Sequence, residues 1–114
     1  MDSILTTVKQ ACGMTDSFTA YDNDVIMHTN TVFMTLRQMG VGPTTPFSIS
    51  DKYTNWNDFT ENVETLEAVK TYVCYKVRLI FDPPQSSTVM QAIKDTISEC
   101  EWRLLHAVEC ELKA

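Results

Sequence analysis

A pair of adjacent prolines, Pro83 and Pro84, separates two long stretches of apolar periodicity, and nothing else in the chain restricts its folding as strongly. Leu66, Val69, Val73, Val77 and Ile80 recur at three- and four-residue steps before the prolines, and Val89, Ile93, Ile97, Cys100, Leu104 and Val108 do so after them. Each stretch therefore predicts a helix with one buried stripe. A residue preceding proline is biased away from helical angles, so the first helix ends at Phe81-Asp82 and the two fold back as an antiparallel hairpin. Asn62 is placed to cap the first helix and Ser86 or Ser87 the second, while Glu61, Glu64 and Glu67 favour the positive end of the first helix dipole.

Two further helices precede this hairpin. Asp2 or Ser3 caps a short one that carries Ile4, Leu5, Val8, Ala11 and Cys12 on one side and ends at Gly13. The next starts within the capping cluster Tyr21-Asp22-Asn23-Asp24. It presents Val25, Thr29, Val32, Leu36 and Met39, widened by Ile26 and Phe33, and stops at Gly40-Val41-Gly42-Pro43. With only three Gly and four Pro in 114 residues, a few long elements are favoured over many strands and turns. The expected fold is all-α: a four-helix subunit with a helical hairpin core and a long extended or hairpin-like segment between helices 2 and 3, forming one domain over residues 1–114.

That long segment, residues 44–60, breaks the helical pattern. Phe47, Ile49, Asp51 and Tyr53 alternate with Ser48, Ser50 and Lys52 at period two, which suits an extended strand, and Thr54-Asn55-Trp56-Asn57-Asp58-Phe59 follows. Connections this long are uncommon in compact helical domains and are usually functional. Two readings stand: the aromatics Phe47, Tyr53, Trp56 and Phe59 fold back to cover the helices, or they form an arm that docks on a partner, because aromatics are enriched at interface centres.

The remaining residue types speak against chemistry. The net charge of −6 disfavours binding to phosphate backbones, since nine basic residues face fifteen acidic ones. Cys12, Cys74, Cys100 and Cys110 lack CxxC spacing and fall within helical stretches, so reduced, mostly buried thiols are expected and no metal site. His28 and His106 have no nucleophile or carboxylate placed locally for catalysis; Asp24, four residues before His28, is explained by helix capping. No phosphate-binding Gly-rich loop, HExxH or Gly-x-Ser-x-Gly is present, and the six methionines suit core packing. The N-terminus offers no basic region followed by a sustained apolar run, so neither a signal peptide nor a membrane span is expected, and the reading is of a cytosolic product without enzymatic activity or cofactor.

The run Leu66-Glu67-Ala68-Val69-Lys70-Thr71-Tyr72-Val73, continued by Lys76-Val77-Arg78-Leu79-Ile80-Phe81-Asp82-Pro83-Pro84, resembles small tailed-phage head-tail connector proteins of the gp6-like adaptor family. Ile4-Leu5-Thr6-Thr7-Val8-Lys9, the stretch from Tyr21 to Asn30 with Val32-Phe33, and Gly40-Val41-Gly42-Pro43 followed by Trp56, Asp58 and Phe59 agree with it in order. The resemblance implies a structural virion protein, made in the bacterial host cytoplasm, that forms a homo-oligomeric ring, a dodecamer in the virion, beneath the portal protein. Such a ring extends the DNA channel, without sequence-specific nucleic-acid binding, and joins head to tail through a head-completion, stopper or tail protein. It further implies subunit contacts on Phe47, Ile49, Tyr53, Trp56 and Phe59, and portal contacts on Leu105, His106, Glu109 and Leu112 in the C-terminal stretch 105–114. The competing expectation is a small helical regulatory module that binds a host or phage protein through one groove.

Overall fold

The computed structural model describes residues 3–43, 45–81 and 83–113, and their side chains as far as residue 109. Five helices follow in order: α1 (Ile4–Ala11), α2 (Asp22–Gln38), α3 (Trp56–Phe59), α4 (Val63–Phe81) and α5 (Ser87–Lys113). The architecture is all-helical, and the described residues form no strand beyond one isolated antiparallel bridge, Ser3 to Asn55. Helices α1, α2, α4 and α5 fall where the periodicity puts them. The fifth, α3, is a single turn inside the connecting segment and corrects the expected count of four.

Helix boundaries follow side-chain chemistry. The Ser3 hydroxyl accepts the Thr6 N–H at the start of α1, the Asn62 carbonyl oxygen accepts the Thr65 N–H at the start of α4, and the Ser86 hydroxyl accepts the Val89 N–H before α5. Asp2, the other candidate cap, lies outside the described residues, as does Asp82 in the turn after α4. No side-chain cap closes α2. Asp22, expected to contribute there, sits inside the first turn and has another task. Its carboxylate lies 2.9 Å from the ammonium of Lys9, which is only 1% exposed and also donates to the Asp16 carbonyl at 3.1 Å. Burying a lysine costs desolvation unless its charge is met, so this pair fixes how the 12–21 connection runs between α1 and α2.

Helix α4 is the hub. It packs against each of the other four helices, and its Val69, Tyr72, Val73 and Val77 are fully buried. Helices α1 and α2 pack on each other and on α4, whereas α5 packs chiefly on α4 alone, through Ile93, Ile97, Cys100 and Leu104. The predicted stripes are therefore right along most of their length and wrong only beside the turn, where Ile80 and Val89 are 55% and 44% exposed. At the turn end of α4 the start of α2 covers Phe81, through Tyr21 and His28, and leaves Ile80 outside, so periodicity alone overstates the core there.

Candidate interaction surfaces

The connecting segment is built around Phe33 of α2. Its ring centroid lies 5.0 Å from Phe47, 5.1 Å from Phe59 and 6.2 Å from Trp56, and Phe47 and Phe59 meet edge to face at 5.1 Å. Trp56 is 0% exposed and its indole N–H donates to the Thr7 hydroxyl at 3.1 Å. Ile49 is also buried, and both its backbone groups are taken by one side chain: its N–H donates to the Asn30 oxygen at 2.8 Å and its carbonyl accepts from the Asn30 amide nitrogen at 3.0 Å. This explains why the period-two stretch is not a strand. Phe47 and Ile49 do point inward and Ser48 and Ser50 outward, but the backbone partner is an amide side chain instead of a neighbouring strand.

These positions correct the expectation of a projecting arm. Of the five residues predicted as subunit contacts, Ile49, Trp56 and Phe59 belong to this chain's own core and Phe47 is half-buried against it; only Tyr53, 75% exposed, faces outward. The alternation fails at Asp51, whose carboxylate accepts the Tyr53 N–H at 2.9 Å and turns the chain. On the far side of the turn the Thr54 carbonyl accepts the Ile4 N–H at 3.1 Å.

A second surface lies near the end of α5. Leu105, His106 and Glu109, predicted from the resemblance, are all exposed, and Trp102 joins them at 66% exposure. Positions 102, 105, 106 and 109 share one helix face, and the Trp102 and His106 rings stack in parallel, 5.4 Å apart with 3° between their planes. Trp102 was legible in principle, being a large aromatic that falls outside the stripe of Ile97, Cys100 and Leu104. The side chain of Leu112 lies outside the described ones.

A third feature is a groove of about 700 Å³ between the first half of α4 and the second half of α5. It is lined by Glu64, Glu67 and Glu99 together with Arg103, and by the small side chains of Ala68, Cys100 and Ala107 beside Leu104. Arg103 is engaged with Glu99 at 2.6 Å, so the uncompensated charge of the groove is negative.

The His28 ring packs on Phe81 and the His106 ring on Trp102, and among the described residues no group of three or more His, Cys, Asp or Glu could hold a metal ion. No described helix is long and apolar enough to cross a membrane. The titratable groups that the fold perturbs are structural. Burial, and then the Glu101 carboxylate 3.3 Å from its hydroxyl, push Tyr72 up to about 12, and burial pushes the Cys74 thiol up to about 12 as well. In both cases the fold favours the protonated, neutral form. Stability is therefore complete below the ordinary values of 9.0 for the thiol and 10.0 for the phenol, and is lost as pH rises towards 12, where the unfolded chain releases protons that the folded chain holds. Thermal melts between pH 8 and 12 should show a falling midpoint, and Tyr72→Phe should flatten part of that fall. An identical pH dependence in wild type and variant would show that Tyr72 is not held neutral by the fold.

Compared with known proteins, the chain matches a family model described as phage connector protein over residues 4–111. No curated protein and no solved structure matches it.

Proposed function

The chain belongs to the phage connector protein family, a structural family of the bacteriophage virion, and from that premise we propose that it is a gp6-like adaptor whose copies form a ring beneath the portal. Connector function in virion assembly follows from the family itself. The ring, its dodecameric closure, the extension of the DNA channel and the production of the chain in the host cytoplasm are our reading. The family match across residues 4–111 is the observation that carries it.

Two properties of the molecule support this reading. A net charge of −6 suits a channel wall that must let DNA pass without gripping it. The exposed face of Trp102, Leu105, His106 and Glu109 lies on α5, a helix of 27 residues that spans about 40 Å and packs chiefly on α4, so this face is accessible to a larger partner. We assign that face, with Leu112 beyond it, to the portal, and the accessible Tyr53 to contacts between subunits. A head-completion, stopper or tail protein would then occupy the far side of the ring.

The test uses portal-bearing capsids that lack connectors and tails. Added wild-type chain should co-sediment with them and restore tail joining. Leu105→Asp should lower capsid attachment by about tenfold or more, because a buried unpaired carboxylate is costly at an interface, while helical circular dichroism stays unchanged. Wild-type chain that never attaches would overturn the adaptor reading.

A further inference from the structure

The turn at residues 51–53 and the α4/α5 groove are both exposed and both shaped by the fold; the turn presents one cation, Lys52, with its Asp51 carboxylate drawn onto the Tyr53 N–H, and the groove presents carboxylates. Among the described residues Tyr53 is the most exposed of the large apolar side chains at 75%, yet the turn that carries it is pinned on both sides. Asn30 grips Ile49 through two hydrogen bonds, Asp51 caps the Tyr53 N–H, and Thr54 is tied to Ile4. The Lys52 ammonium stands 5.7 Å from the centre of the Tyr53 ring, so cation and aromatic are presented together. A backbone pinned in this way has already lost the conformational entropy that ordering the turn on binding would otherwise remove.

The groove is the complement of this turn. Glu64 and Glu67 are exposed on its α4 wall, Arg103 is already bound to Glu99, and the small side chains of Ala68 and Ala107 leave room for a ring. The topology keeps the two features apart within one molecule. The turn is fastened to α1 and α2, which pack on α4, whereas the groove lies between α4 and α5. Contacts between two different surfaces are heterologous, and repetition of such a contact generates a ring when the rotation closes. A chain of net charge −6 repels its own copies, so a local cation set against local carboxylates is what self-association requires.

Building on the connector reading, we propose that the Lys52-Tyr53 turn of one copy docks in the α4/α5 groove of a second copy. The Lys52 ammonium lies between Glu64 and Glu67, and the Tyr53 ring rests against Ala68 and Ala107.

Sedimentation velocity of the full chain over a range of concentrations at low salt tests this. Wild type should associate reversibly and more weakly as salt is raised. Tyr53→Ser should weaken association by about 30-fold, and Lys52→Glu or Glu67→Lys alone by about tenfold, with helical circular dichroism unchanged in each. The charge-swapped double variant Lys52→Glu/Glu67→Lys should recover to within about threefold of wild type, which only a direct pairing of the two positions would produce. A wild-type chain that stays monomeric at every concentration overturns the contact, as do single variants that associate normally or a double variant that does not recover. The capsid assay separates this failure from failure of the connector reading. Wild-type chain that attaches to portal-bearing capsids while Lys52→Glu leaves self-association untouched sinks the docking contact alone. If Lys52→Glu abolishes capsid attachment without changing self-association, the turn serves a partner other than a second copy and the proposal is likewise lost.

Discussion

Trp56→Ala should lower the free energy of unfolding by about 3–5 kcal/mol, enough to leave a chain of this size marginally folded or unfolded at physiological temperature. Trp56 is completely buried, stacks obliquely on Phe33, and satisfies its indole N–H on Thr7. Removal of the ring leaves a cavity at the junction of α1, α2 and α3. It also frees the single turn of α3, whose other anchor in the core is Phe59. Trp56→Phe retains most of the buried area and loses the hydrogen bond, so it should cost about 1–2 kcal/mol. Denaturant unfolding of the two variants measures both. Had the segment been a free arm, Trp56→Ala would melt like wild type and fail only in assembly, and that outcome would remove Trp56 from the core.

The second large effect is expected at a residue with no side chain. Gly42 has a φ of +88°, and a Cβ built on it would collide with the Phe59 ring, with Cζ nearest and two further ring atoms also under 3 Å. The ring cannot yield easily, because it is held between Phe33 and Phe47. Gly42→Ala therefore combines the strain of a left-handed backbone with displacement of a core aromatic, and should destabilise by about 2–4 kcal/mol. Gly40 provides the internal control. Its φ of +86° imposes the same backbone strain, but the nearest atom to a new Cβ is Cγ1 of Val108 at 3.3 Å, so Gly40→Ala should cost only about 1 kcal/mol. Equal losses at the two positions would show that backbone conformation alone matters and that Phe59 accommodates the methyl group.

Gly42 shows how the sequence was informative and where it stopped. Gly40-Val41-Gly42-Pro43 marks the end of α2 for any reader, since glycine and proline terminate helices locally. That Gly42 also forms the seat of Phe59 involves residues 17 positions apart, and no local rule connects them. The candidate surfaces divide in the same way. Leu105, His106 and Glu109 could be placed on the outside of α5 because the buried stripe through Leu104 leaves them there. The groove beneath them depends on how closely α4 and α5 approach, which the small side chains at Ala68 and Ala107 permit but do not dictate.

By itself the sequence determined that the chain is all-helical, where α1, α2, α4 and α5 run, that the last two form a hairpin at Pro83-Pro84, and which structural family the chain resembles. These properties are carried by capping residues, prolines and periodicity, which act over a few residues and so are written locally. Only the tertiary structure decided that α4 is the hub, that Lys9 is buried against Asp22, and that Phe47, Ile49, Trp56 and Phe59 turn inward while Tyr53 stays outside. An aromatic residue gains comparable energy from its own core or from a partner's surface, so its type cannot reveal which it meets. Here the choice fell to Phe33 and Asn30, two side chains of α2 that offer the segment a ring to pack on and a pair of hydrogen bonds to replace a strand.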